Sequence, residues 1–432
     1  MSDSRDPRPI KHAVRVLITI ALLVVSFFTS TSQVWAAESS SVQSQTDQKS
    51  LEAQLFQALY SKDQAKALAL IKAGANVNAQ EKERYRLTLL HSAAENNLLL
   101  VVEALVKRGA KVNAEIEGFR GIPLTMAMSN GHEEVVRFLL DHGANAQYID
   151  SAGYTLLHVA AGRVSNDMLQ RLIDLGCDVN AKSKIDQRPL YGAIRREAWD
   201  NAKFLVEKGA DIETVDGEGT PLALAAKYGG LELAKLMVEK GVDVRTRNPY
   251  SGRTALHEAA LQGRKSIVEF LIDKGSDVNA SGTPGDTRTY GQIVGTPILG
   301  PAYRGHFEVV KLLAAKGADL NFRGDRWRSP VSAAAFGGHR EIVEWLVNHG
   351  AEVNPFDHDH ELEANHMPLL SAVDRGDIEM VRFLLEKGAR VNAKAKNQHK
   401  AWNEGEKTAL SVARRIGRSD IADLLIAHGA TE

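Results

Sequence analysis

One spacing recurs along this 432-residue chain and limits what it can fold into: a glycine follows the start of a short apolar segment by 21 residues, eleven times over. The glycines are Gly74, Gly109, Gly143, Gly176, Gly209, Gly241, Gly275, Gly317, Gly350, Gly388 and Gly429. The matching starts are Ala53, Thr88, Ile122, Thr155, Arg188, Thr220, Thr254, Thr296, Ser329, Met367 and Thr408. This periodicity indicates stacked supersecondary units rather than two or three globular domains.

Each unit carries the signals of two short helices. A Thr at the start can cap a helix, and Pro suits the next position because no amide donor is needed there. Pro stands there at Pro123, Pro189, Pro221, Pro297, Pro330 and Pro368. In seven units a helix-ending Gly follows nine residues after the start, and in another unit Asn97 takes this position. The second helix has apolar residues at helical spacing, as in Val135, Val136 and Leu139. Two such helices cannot enclose a core alone, so neighbouring units must stack.

The amino-acid sequence that the units share resembles that of a known family. A typical unit opens Thr254-Ala255-Leu256-His257-Glu258-Ala259-Ala260, and most units end on a Gly-Ala-Asp-Val-Asn-like segment. This pattern closely resembles the ankyrin repeat over about residues 50 to 432. The resemblance implies an all-α ankyrin-repeat solenoid at 51–432, with eleven helix-turn-helix units joined by β-turn fingers. The first and last units are expected to be caps.

The N-terminal residues 1–36 have the layout of a secretory signal peptide. Four basic residues between Arg5 and Arg15 precede a 13-residue apolar run, 16–28, and small residues follow at Ala36 and Ala37. We expect cleavage near Ala36, export to the periplasm or the exterior, and no stable membrane anchor in the mature chain. An uncleaved anchor is the alternative, although 13 residues fall short of the roughly 20 that span a bilayer. Residues 37–50 are rich in Ser and Gln and are predicted to be a flexible linker.

The connections between units differ in length. Three fingers are enlarged, those between 275 and 296, between 350 and 367, and between 388 and 408. Insertions in repeat proteins collect on one face, often the binding face. The eighth unit also has Pro301 where other units have Ala. Two interpretations are open: a tolerated irregularity, or a bend that opens the concave surface.

Composition and motifs argue against catalysis and nucleic-acid binding. The formal charge of −1 lacks the basic excess of nucleic-acid binders. The segment that begins His257-Glu258 has Leu261 where a zinc protease needs its second His. The single Cys177 is expected to be a small packed residue rather than a reactive thiol. We therefore predict a protein that is not an enzyme and needs no cofactor.

One cluster raises an alternative function. His358, His360 and His366 stand among several carboxylates in the ninth finger and could bind Zn²⁺ or Cu²⁺. A metal-binding or metal-storage protein is therefore an alternative. A solvated acidic loop is the favoured interpretation, because the sequence shows no second shell to orient these ligands.

The favoured function is a scaffold for protein–protein interaction. The resemblance implies that finger tips, and the residues just before each helix-ending Gly, lie on a concave docking face. Aromatic and Arg side chains, the types that dominate interfaces, are frequent at these positions. The candidates are Tyr154, Arg163, Arg195, Tyr228, Arg253, Tyr303, Arg304, Trp327, Arg328, Phe336, Arg375 and Trp402. A second alternative is a secreted effector that binds host proteins.

Overall fold

A computed structural model describes residues 48–81, 86–116, 121–216, 218–282, 295–323, 329–355, 367–395 and 408–431. The predicted signal peptide and most of the predicted linker lie outside these residues. The first described helix already includes 48–50, at the end of the segment assigned to the linker. The tips of the three enlarged fingers also lie outside the described ranges.

The described residues form twenty-two helices in eleven consecutive pairs. The described part of α1 covers 48–60. The others are α2 (Gln64–Lys72), α3 (Leu89–Glu95), α4 (Leu99–Lys107), α5 (Pro123–Ser129), α6 (Glu133–Asp141), α7 (Leu156–Ala160), α8 (Asn166–Asp174), α9 (Pro189–Arg195), α10 (Trp199–Glu207), α11 (Pro221–Tyr228), α12 (Leu231–Glu239), α13 (Ala255–Leu261), α14 (Lys265–Asp273), α15 (Leu299–Arg304), α16 (Phe307–Ala315), α17 (Pro330–Gly337), α18 (Arg340–Asn348), α19 (Pro368–Asp374), α20 (Ile378–Glu386), α21 (Ala409–Arg415) and α22 (Ser419–Ala427).

The all-α class predicted from the sequence is confirmed. Within the described ranges the only extended pairing consists of three isolated bridges at finger bases, Gln80 with Thr88, Ile149 with Thr155 and Asp216 with Gly219. None of the helices in these ranges is long and apolar enough to cross a membrane. The repeats therefore account for the described secondary structure.

Several pairs start with the predicted capping chemistry. The Thr220 side chain accepts a hydrogen bond from the backbone N–H of Ala223, and Pro221 occupies the first turn of α11. Ser329 and Thr408 cap α17 and α21 in the same way. These bonds satisfy amide groups that the first turn of a helix leaves without an intrahelical acceptor.

The recurring glycines end the second helices for a backbone reason. All eleven adopt φ values between 83° and 100°, which L side chains rarely tolerate. At nine of them a Cβ atom would meet no neighbour within 4 Å, so crowding does not explain the choice. The fixed spacing in the sequence therefore reports a left-handed turn at the end of each unit.

Pro301 in the eighth unit proves to be an accommodated irregularity in the local helix. Helix α15 begins at Leu299, two residues later than the repeat pattern predicts, so Pro301 falls in its first turn. A proline there gives up no intrahelical hydrogen bond. Gly300 beside it allows close packing, because a Cβ at this position would lie 3.1 Å from the Cα of Leu261 in α13.

The chain divides into two compact units, Met1–Ala146 and Gln147–Glu432, each of which contains several repeats. In the first unit, α3 packs on α5, and α4 packs on α2 and α6. In the second, the first helices of successive repeats, α7 to α21, pack side by side in order. Their second helices form another layer, with α8, α10, α12, α14 and α16 in sequence. The core lies between these layers.

The first helices supply most of that core. In α11 all six residues from Pro221 to Ala226 are buried, and in α13 Leu256 is fully buried. Cys177 is also buried, and burial raises the pKa of its thiol to about 11. The predicted packed role of this cysteine fits its position in the structure.

Asparagine side chains join neighbouring repeats. The Asn279 amide donates to the carbonyl oxygen of Gly317 (2.9 Å), and its Oδ1 accepts from the N–H of Asp319 (2.8 Å). The same pair of bonds is made by Asn78, Asn113, Asn180, Asn321, Asn354 and Asn392. We call these paired contacts amide clamps. At the equivalent place after Gly209 the chain has Glu213, which cannot donate such a bond.

Buried histidines tie the first helices to neighbouring loops. Nδ1 of His257 accepts from the N–H of Thr254 (3.1 Å), and its Nε2–H donates to the carbonyl of Gly295 (2.8 Å). His158 makes the corresponding bonds to Thr155 and Gln187. A ring that accepts at one nitrogen and donates at the other must be neutral. Burial accordingly lowers the pKa of His257 and of His91 to about 4.

The amide clamps should contribute measurably to stability. Replacing Asn279 by Ala removes two hydrogen bonds and should lower the free energy of unfolding by about 1–2 kcal/mol. Replacing Glu213 by Asn should add a clamp to Gly241 and raise the free energy of unfolding by about 0.5–1 kcal/mol. Urea unfolding followed by circular dichroism measures both. Midpoints that stay at the wild-type value in both variants would show that the clamps are not stabilising.

The buried histidines predict acid sensitivity. In the unfolded chain the pKa of His91 and His257 is near 6.5, against about 4 in the folded chain. The unfolded state therefore binds more protons as the pH falls from about 6.5 to about 4, and each histidine costs about 1.4 kcal/mol of stability per pH unit. Their full contribution is present above that window. Urea unfolding at several pH values should show this slope, and His257→Gln should make it shallower. An unchanged slope in that variant would contradict the assignment.

Candidate protein-binding surface

The ends of the first helices in unit Gln147–Glu432 form a continuous row. Since α7 to α21 pack side by side, the seventh and eighth residues after each start lie next to their counterparts in neighbouring repeats. Much of each first helix is buried, so these positions bring its side chains to the surface. The side chains are Arg163, Arg195, Arg196, Lys227, Tyr228, Leu261, Gln262, Tyr303, Arg304, Phe336, Asp374, Arg375, Arg415 and Ile416. We call them the first-helix row.

In the early part of the row, cations are paired with finger carboxylates. Arg195 contacts the buried carboxylate of Asp216 at 2.8 Å and Glu218 at 3.2 Å. Lys227 lies 3.8 Å from the same Glu218. Arg195 is therefore largely committed to holding the finger against its helix.

The guanidinium groups of Arg163 and Arg196 are more exposed than that of Arg195. Arg196 donates from Nη1 to the carbonyl oxygens of Ala161 (3.3 Å) and Gly192 (3.0 Å). Partial burial, and then the charges of Arg163 and Arg195, lower the pKa of Arg196. Three guanidinium groups close enough to influence one another give this segment a positive potential.

Further along the row, two aromatic rings stack on the surface. The centroids of Tyr303 and Phe336 are 5.9 Å apart, with an angle of 18° between the ring planes. Phe336 is 40% exposed. The exposed Arg304 donates to Oε1 of Gln262 (3.2 Å), and the exposed Arg375 donates to the carbonyl of Phe336 (3.2 Å). The two rings therefore form an apolar centre with an arginine on each side.

A glycine and a histidine set the position of this aromatic pair. A Cβ at Gly337 would overlap the carbonyl oxygen of Tyr303, so only glycine lets α17 approach α15 this closely. Nε2–H of His339 donates to the same carbonyl (2.9 Å). Gly337 is the eighth residue after the start of its unit. Most other units have a residue with a side chain at this position, so the sequence marks the glycine as unusual. This glycine is the sequence signal for the close approach of the two helices.

Several predicted contact residues have other roles in the structure. Tyr154 is half-buried, and its hydroxyl donates to Oε1 of Gln187 (3.0 Å) while its ring meets His158 edge-on. Tyr228 is half-buried, with Nζ of Lys227 over its ring at 5.2 Å.

Arg253 lies outside any exposed surface. It is only 8% exposed, and its Nε is 3.3 Å from Oε1 of Glu258. The sequence assigns it to a solvent-facing finger tip. The finger instead folds back, with the N–H of Asn248 donating to the carbonyl of Arg253 (2.8 Å), and places the guanidinium inside. Arg253 therefore does not belong to the candidate surface.

The remaining candidates stand in fingers between the repeats. Trp327, Arg328 and Trp402 lie outside the described residues, as do the possible metal ligands His358, His360 and His366. Within the part that the structure describes, His, Cys, Asp and Glu side chains form no group of three that could hold a metal ion.

Aromatic side chains on the second helices offer less accessible rings. Phe270 and Phe383 each lie under the ammonium group of a lysine four residues later, Lys274 at 6.0 Å and Lys387 at 5.5 Å. Trp345 is stacked by His349 at 3.9 Å. Because these rings are partly covered by their own helices, the Tyr303–Phe336 pair is the better contact surface.

Family comparison agrees with this architecture. A model described as ankyrin repeats (three copies) matches residues 115–183, 190–281 and 298–395, and a single ankyrin repeat model matches 85–116. These ranges cover more than half of the chain, so the chain belongs to the ankyrin repeat family. Ankyrin repeats generally bind protein partners.

Curated relatives share the repeats over part of their length. The chain is 32% identical to the human B-cell lymphoma 3 protein over 209 residues, which is 46% of each protein. It is 27% identical to the palmitoyltransferase AKR1 of Lachancea kluyveri over 218 residues, 49% of this chain and 26% of that protein. This chain therefore spans less than half the length of either relative.

A solved structure gives a further comparison. The crystal structure of the human ASB11 ankyrin repeat domain is 27% identical and aligns with a TM-score of 0.45, covering 52% of this chain and 98% of that one.

Proposed function

We propose that this protein is a non-enzymatic scaffold that binds a protein partner through the first-helix row. One observation carries the proposal. Tyr303 and Phe336 form a stacked pair at the surface, with the exposed Arg304 and Arg375 beside it. A few aromatic and Arg side chains, close together, usually dominate the energy of protein association.

The aromatic pair is a better anchor than the earlier, basic part of the row. Arg195 already contacts Asp216 and Glu218, so a partner would have to displace or share those carboxylates. Arg304 and Arg375 instead donate to an amide oxygen and a carbonyl oxygen, and keep their charge available to a partner. We therefore assign the main contact to the repeats that contain α15, α17 and α19.

Rigid presentation supports the same assignment. Helices α15 and α17 pack directly against each other, and Gly337 and His339 fix the backbone beside Tyr303. A side chain that is held in place before binding loses little conformational freedom when a partner docks.

We also propose that the protein acts outside the cytoplasm, in the periplasm or beyond the cell. The support is the sequence of residues 1–36, with its basic start, apolar run and small residues near Ala36. Export would place the repeats where they meet periplasmic or extracellular partners.

Replacing Phe336 by Ala should weaken partner binding by about 2 kcal/mol or more, because an exposed aromatic anchor is lost. Stability should fall by no more than about 1 kcal/mol, since the side chain gives up one ring stack. Leu256→Ala should do the reverse and cost about 2–5 kcal/mol of stability, because this side chain is fully buried. Calorimetric titration with the captured partner and thermal melting measure the two effects.

Phe270→Ala is the matched control on a second helix, and its partner affinity should equal that of the wild type. If Phe336→Ala melts as early as Leu256→Ala while the partner still binds, the first-helix row is not the docking surface.

The mature chain should begin at Ala37 or Glu38. N-terminal sequencing of the protein purified from its native host checks this, because signal peptidase cuts after small residues. A control with Leu22 and Leu23 changed to Lys should keep its leader, since charges in the apolar run block export. An intact Met1 on wild-type protein in the membrane fraction would contradict cleavage.

A further inference from the structure

The surroundings of the Tyr303–Phe336 pair carry an excess of positive charge. Arg304 and Arg375 are exposed and lie beside the pair, and Arg264 is exposed one repeat earlier. Burial first, and then the charges of Arg304, His339 and Arg264, lower the pKa of His306. The half-buried ring of His306 therefore lies within reach of two guanidinium groups, which make the local potential positive.

Three nearby carboxylates leave this charge in excess, because each already has a cationic partner. Asp374 lies 3.5 Å from Arg415, and Glu258 is held by the buried Arg253. Glu308, on a second helix, contacts Lys311 and Lys265. Among the ion pairs of the described residues, none involves Arg304 or Arg375.

The aromatic pair favours a partner that has an apolar group beside its charged groups. Phe336 presents an exposed ring, and the stack with Tyr303 leaves a flat apolar surface between two guanidinium groups. An arginine beside an apolar contact forms strong, charge-assisted hydrogen bonds to a carboxylate, because the partner excludes water from the pair. The surface therefore has one apolar position with a carboxylate position on either side.

We propose that the first-helix row between α13 and α19 binds an acidic protein segment that carries an apolar side chain flanked by Asp or Glu. The apolar side chain packs on Tyr303 and Phe336. The carboxylates pair with Arg304 and Arg375, and Arg264 adds long-range attraction. This inference rests on the proposed function and names the chemistry of the partner segment.

Peptide display tests this chemistry without knowledge of the partner. A random peptide library is selected on the mature chain, with counter-selection on a variant that carries Arg304→Gln and Arg375→Gln. The enriched peptides should contain an apolar residue with acidic neighbours. Enrichment of neutral or basic peptides would overturn the proposal.

The affinity of a selected peptide gives the quantitative test. Fluorescence polarisation should show a loss of about tenfold or more in the double variant, because the partner's carboxylates lose their cations. It should also show weaker binding as NaCl rises from about 50 to about 300 mM, since salt screens exposed charges. Arg382→Gln is the matched control: this arginine is exposed on α20, and its loss should change the affinity by less than about twofold.

Two further results are decisive. A peptide whose acidic residues are changed to Asn and Gln should lose binding, whereas equal affinity would show that charge is not recognised. A single-stranded oligonucleotide should compete poorly, and competition as strong as that of the acidic peptide would show a general polyanion site. If the natural partner still depends on Phe336 while the peptides are not acidic, the proposed function stands and this inference fails.

Discussion

The amide clamps fix how one repeat unit meets the next at seven places in the described residues. Each clamp holds the glycine turn that ends one unit against the unit before it, through two hydrogen bonds from one Asn side chain. The bonds fix the register of the stack, and burial of the first helices supplies most of the free energy. A two-helix unit has too little apolar surface to fold alone, so a defined register between neighbours is required.

That register determines what the surface displays. In the unit Gln147–Glu432 the first helices lie side by side, and each contributes the same two positions to the first-helix row. Small residues bring the helices close together, as Gly300 does for α15 on α13 and Gly337 does for α17 on α15. The contact between Tyr303 and Phe336, 33 residues apart, is a direct consequence of this packing. The candidate binding surface is therefore a product of the repeat period.

The periodic features could be predicted from the sequence because they depend on local backbone chemistry. Most helix starts and all eleven left-handed glycines occupy the predicted places, and Asn97 takes the glycine role with a φ of 59°. Surface assignments were less secure. Arg253 was predicted at a finger tip, yet the turn from Asn248 to Arg253 directs it inward to Glu258. Whether a finger side chain faces water depends on tertiary contacts that a repeat pattern does not encode.

The eighth unit shows the same limit. Pro301 signals an irregular helix start, but only the structure shows that α15 begins two residues late and keeps its hydrogen bonds. The assignment of Phe336 and Tyr303 to a binding face stays a prediction, supported by exposure and ring geometry.

Site-specific photo-crosslinking in the producing cell can show whether a partner docks on the first-helix row. A photoreactive phenylalanine analogue at position 336 should give a covalent adduct with a partner protein, since this side chain is placed at the centre of the contact. The same analogue at position 270, on a second helix, should give none. Adducts from position 270 and none from position 336 would contradict the account, because the partner would then bind the opposite layer of the repeats.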